Sequence, residues 1–138
     1  MSQPTRYFAA PKPGDIVWCR FPQEKSLEPA PKARPALVLR VGQIDGRPAA
    51  AIAYGTSQKI ERLFPGEFAI LPSDGAAYAA SGLSYPTKFN LAGSIELPFS
   101  DRWFAVPPGA PLGQQPKLGI LHPSLMKRAQ AAFRAMTT

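Results

Sequence analysis

The sequence predicts a small, mainly β domain of the α+β kind, closed by one amphipathic C-terminal helix. Three observations predict it. Proline supplies 17 of 138 residues and glycine 11, which is hard to reconcile with a helical bundle. The β-branched and aromatic residues fall in short runs between Gly and Pro punctuation, the pattern of strands joined by turns. Only the C-terminus carries helical periodicity over several turns. The length supports one domain, read as 14–138 behind a flexible N-terminal arm, 1–13, that holds Pro4, Pro11 and Pro13.

The first strand is Asp15-Ile16-Val17-Trp18-Cys19-Arg20-Phe21, between Gly14 and Pro22. Residues 22–33 follow as a polar, proline-rich loop, longer than most connections in compact domains. Arg34 to Val41 is the second strand, with Pro35 at its start, where a missing N–H is tolerated. Asp45-Gly46 is a hairpin signal, and Ala49 to Tyr54 returns as the third strand, stopping at Gly55-Thr56-Ser57. Glu67–Leu71 reads as a short strand, 75–82 as one or two helical turns, and Thr87–Leu91 and Ser94–Leu97 as two more short strands. Trp103–Val106 is a further candidate strand, and 107–117 is a Pro/Gly-rich connection. The helix begins near Pro123, a favourable first helical residue. Leu125, Ala129, Phe133 and Met136 form its apolar stripe.

Composition narrows the function classes. Sixteen Lys and Arg against nine Asp and Glu give a formal charge of +7, which suits a polyanionic partner. A single Cys excludes an intrachain disulfide framework and a thiolate zinc cluster, and a single His excludes multi-histidine metal sites, so neither metal nor cofactor is expected. No apolar run reaches the ~18 residues of a membrane span, and the N-terminus lacks a signal-peptide core. The expectation is a cytoplasmic protein without a membrane partner.

The sharpest local feature is Arg34 with Thr56-Ser57. Both lie at similar chain distances from the Asp45-Gly46 turn, so a hairpin brings them to one sheet end. A guanidinium fork matches two phosphate oxygens, and hydroxyl groups add short donors. Gly55 would let a ligand approach the main chain. Lys25, Lys32, Lys59 and Arg62 flank the pair in sequence as a candidate phosphate-binding rim. Against this stands a plain reading: a solvated Arg at a strand start and a common Gly-Thr-Ser turn.

Gly14-Asp15-Ile16-Val17-Trp18, the polar loop, Arg34-Pro35-Ala36-Leu37-Val38-Leu39 and a strand ending in Thr56-Ser57 together resemble the PemK/MazF family of toxin endoribonucleases. The resemblance spans roughly 13–136, with its specific motifs inside 14–57. It implies an SH3-like β-barrel with a long loop between strands 1 and 2 and a C-terminal helix. It also implies a homodimer, a small acidic antitoxin as partner, and growth inhibition by metal-independent cleavage of single-stranded mRNA. Arg34 and Thr56 map to the residues the family ties to cleavage. Ser57, Gly55, Lys88, Asn90, Lys32 and Lys59 are the substrate-binding candidates.

The sequence departs from the family at two points. Lys88-Phe89-Asn90 stands where an Arg-x-Asp acid–base pair would lie, and an Asn amide has no useful basicity. The loop 22–33 has no His and offers Glu24 and Glu28. The general base is left unassigned. His122 reads as a helix cap, Cys19 as a buried small side chain, and Trp18, Phe21, Phe89, Trp103 and Phe104 as core residues that could include a base-stacking platform. The alternative is a non-catalytic nucleic-acid- or protein-binding module on the same barrel.

Overall fold

A computed structural model describes residues 4–22 and 28–137. It is mainly β: six strands in one antiparallel sheet, with a helix at the C-terminus. The strands are β1 (Asp15–Cys19), β2 (Arg34–Ile44), β3 (Arg47–Thr56), β4 (Glu67–Ile70), β5 (Thr87–Pro98) and β6 (Lys117–Ile120). Their spatial order is β4-β5-β3-β2-β1-β6, which leaves β4 and β6 as edges. The helices are α1 (Ala76–Ser81) and α2 (Met126–Thr137). Among the described residues no helix is long and apolar enough to cross a membrane.

The β2–β3 hairpin is the centre of the sheet. Asp45 and Gly46 have φ of 52° and 75°, the paired left-handed conformations of a type I′ turn, which matches the twist of the flanking strands. Strand alternation then divides the core in two. Ile16, Leu37, Ala53, Phe68, Ile70 and Phe89 face α1 and α2. Val17, Cys19, Ala36, Val38, Ile52 and Leu97 point the other way, onto Phe99 and Phe104.

Several elements differ from the sequence reading. The strands expected at 87–91 and 94–97 are one strand, β5, with a register shift inside it. Asn90 and Ile95 pair with Tyr54 and Ile52, so four β5 residues bulge opposite Ala53 alone. The Asn90 side chain accepts a hydrogen bond from Ala92 N at 3.0 Å and closes this bulge. Residues 103–106 form no strand; Phe104 makes one isolated bridge to Cys19. β6, unforeseen, directly follows the Pro/Gly-rich stretch and pairs with β1. The expected N-terminal arm is tied down at residues 6–8: Phe8 N donates to Phe99 O at 3.0 Å, Arg6 N to Asp101 Oδ1 at 3.1 Å, and Tyr7 bridges Ser100.

The C-terminal helix follows a 3-10 turn, Pro123–Leu125, as its proline predicts. Its stripe is shifted from the expected one. Leu125, Ala129 and Ala132 are buried, whereas Phe133 is 54% exposed. Arg128 fixes the helix to the sheet end by donating to Ala69 O and, through both terminal nitrogens, to Asp74, each at 2.9 Å.

Candidate nucleic-acid site at the β2–β3–β5 strand ends

Cross-strand register assembles the site. Cys19 pairs with Arg34, Thr56 with Lys88, and Lys88 with Ala69. Continuing the β2–β3 register two places beyond Ala36–Tyr54 sets Arg34 opposite Thr56. Alternation puts this row on the sheet face away from α2, beside a second row formed by Ala36, Tyr54, Asn90 and Glu67. Arg34, Thr56, Lys88 and Asn90, far apart in sequence, therefore meet at one end of one face.

Their environments differ sharply. Arg34 is exposed, and no side chain among the described residues pairs with its guanidinium. Thr56 is half-buried, and its Oγ1 accepts from Gln58 N at 3.2 Å, which leaves the hydroxyl proton free to donate. Asn90 has its Oδ1 engaged by Ala92 N, and its NH2 has no partner among the described residues. It is a donor here and offers no base.

Two candidates change role. Lys88 was expected to touch phosphate, yet it is only 6% exposed. Its Nζ donates to Arg62 O at 2.8 Å and to Glu67 Oε1 at 3.1 Å, so the charge is already neutralised inside the fold. Gly55 was expected to admit a ligand to the backbone, but it is buried. A Cβ there would lie 2.7 Å from Pro35 O and 2.8 Å from the Phe89 ring. The glycine is required by the packing of β3 against β2 and β5.

The flanking candidates sort as follows. Ser57, Lys32, Lys59 and Arg62 are exposed, and Lys59 sits at φ 52° in the turn after β3. Glu28 is bound to Arg102 at 3.1 Å across the surface. Glu24 and Lys25 lie outside the described residues. His122 caps the 3-10 turn, its Nδ1 accepting from Ser124 N at 3.1 Å. Burial pushes the Cys19 thiol far above its usual range, so it remains protonated. Phe89 and Phe104 are fully buried core, Trp18 and Trp103 are half-buried, and Phe21 packs against Tyr54 with centroids 5.2 Å apart and the rings tilted by 54°.

Tyr54, Phe64 and Glu67 escaped the sequence reading. Glu67 follows Pro65-Gly66 at the start of β4, and nothing local signals its pairing with Lys88 across 21 residues. On the opposite face, an apolar groove of about 580 Å³ runs between β2 and α2, lined by Leu37, Leu39, Leu91, Met126 and Phe133 among others. Compared with protein-family models and with curated proteins, the sequence matches none.

Proposed function

We propose that the chain is the toxin of a toxin–antitoxin pair, an endoribonuclease of PemK/MazF type on an SH3-like barrel. One observation carries the reading: an exposed Arg34, with no partner side chain among the described residues, and the hydroxyl donor of Thr56 each lie two places beyond the Ala36–Tyr54 pair, in a motif that resembles that family. In the proposed reaction the RNA 2′-OH attacks the adjacent 3′ phosphate. The P–O5′ bond breaks, leaving a 2′,3′-cyclic phosphate and a free 5′-OH. The nucleophile is already held near phosphorus, so the protein orients it and stabilises charge. Arg34 clamps the non-bridging oxygens with parallel N–H donors, and Thr56 donates a further hydrogen bond to the phosphate.

The resemblance extends the proposal to a homodimer and to a small acidic antitoxin. The apolar groove beside the exposed Phe133 and Met126 supports a protein partner of either kind. The direct test is expression in a bacterial host. The intact protein arrests growth, and Arg34→Ala relieves the arrest while folding normally. A harmless intact protein present at the same level contradicts the reading.

A second reading, a non-catalytic nucleic-acid-binding module, draws on a different observation. The carboxylate in the adjacent row, Glu67, is committed to Lys88 and to Phe64 N, and Asn90 cannot accept a proton. Tight binding of single-stranded RNA without cleavage separates it from the first.

A further inference from the structure

Residues 57–66 join β3 to β4 beside Thr56, and two of their apolar side chains face water. Phe64 is 57% exposed and Leu63 51%. The backbone beneath them is firmly held. Lys88 Nζ donates to Arg62 O at 2.8 Å, Phe64 N donates to Glu67 Oε1 at 2.8 Å, and Glu67 N donates back to Phe64 O at 2.9 Å. Gly66, at φ +95°, seats the end of the loop against Ala92 and Met136. A buried ammonium and a half-buried carboxylate thus fix a segment whose aromatic ring is displayed to solvent.

The ring is also framed by cations. The Arg62 guanidinium carbon and Lys88 Nζ each lie 5.8 Å from its centroid. Lys88 is the register partner of Thr56, so one strand spacing of about 4.8 Å and one lysine side chain connect the ring to the phosphate site. An exposed aromatic ring with a guanidinium over it suits a nucleobase, which stacks on aromatic and guanidinium planes alike. The exposed charges of Lys59 and Arg62 suit the phosphates on either side of that base.

We infer that Phe64, held in place by Lys88 and Glu67, is a stacking subsite for one base of single-stranded RNA next to the phosphate bound by Arg34 and Thr56. The inference rests on the reading of that pair as a phosphate site. A second protein chain is the weaker occupant, because a stable protein interface needs a much broader apolar area than one ring and one leucine.

The test uses 2′-O-methyl RNA decamers, which lack the nucleophile, with a central 2-aminopurine between random flanks. The wild-type protein binds and quenches the fluorescence by stacking. Phe64→Ala weakens binding about tenfold and removes the quench, and Phe64→Trp retains both. Thermal melts confirm that both variants fold. Equal binding and quenching by Phe64→Ala overturns the subsite and leaves the phosphate site standing. Failure of Phe64→Trp to preserve the quench overturns stacking as the mechanism. No binding by the wild-type protein overturns the phosphate-site reading and the subsite with it.

Discussion

Arg34 and Lys88 flank Thr56 in one cross-strand row, and the fold uses these two cations in opposite ways. Arg34 on β2 is exposed and pairs with no described side chain. Lys88 on β5 is buried and holds Glu67 and the Arg62 carbonyl. Charge alone cannot distinguish them. The difference lies in what stands next to each strand. β5 is covered on its far side by β4 and by the loop that precedes it, which supply acceptors for an ammonium. β2 ends beside the long loop, where β1 contributes only the buried Cys19 opposite the arginine. A cation surrounded by acceptors becomes structural, and one with none among the described residues is open to a ligand.

Substitution at the two positions should separate these roles. Lys88→Met leaves the half-buried Glu67 carboxylate without its ion-pair partner. Urea denaturation should show a loss of about 3 kcal/mol, the range for breaking a buried ion pair from one side. Arg34→Ala should change stability by less than about 0.5 kcal/mol, as exposed positions do. The same variant should lower RNA cleavage by about 100-fold or more, the effect of removing one donor from a developing oxyanion.

Gly55→Ala sharpens the contrast from the strand between them. The added methyl meets the Pro35 carbonyl and the Phe89 ring, and backbone cannot move aside cheaply. A loss of about 1–3 kcal/mol is expected in the same denaturation assay. A smaller stability loss than at Lys88 or Gly55 belongs to the ion pair between Asp74, which lies between β4 and α1, and Arg128 on α2. The Arg128 guanidinium holds the Asp74 carboxyl below its usual range, aided by the Leu71 N–H. Its contribution is therefore full above the unfolded value of about 3.9 and is lost as pH falls through the lower folded value. Asp74→Asn should cost about 1 kcal/mol at neutral pH and should flatten the acid limb of the stability profile.

The same contrast marks what was legible in the sequence. Arg34 and Thr56 were readable because a hairpin joins them, and Asp45-Gly46 sets its register. The fate of Lys88 was not readable, since it depends on Glu67 and on a loop carbonyl, and neither carries a local pattern. Gly55 drew a ligand-based reading because sequence cannot reveal that its neighbour is the Pro35 carbonyl. β5 read as two strands for a sound reason. Asn90, Ala92 and Gly93 do build a bulge, and it was the continuity of pairing on both sides of it that stayed hidden. β6 has only four residues beside a run of Pro and Gly, and it exists because β1 offers an edge. Phe133 kept helical spacing yet faces water, because Ala132 takes the buried position against the sheet.

The central claim is that the Arg34–Thr56 pair directs transfer of an RNA phosphate to its own 2′-oxygen. Its most direct measurement is the chemistry of the cut ends, after incubating single-stranded RNA with the purified protein in EDTA. The account predicts fragments with 2′,3′-cyclic phosphate and 5′-OH termini, absent with Arg34→Ala. Intact RNA, or fragments ending in a 3′-OH, would contradict it.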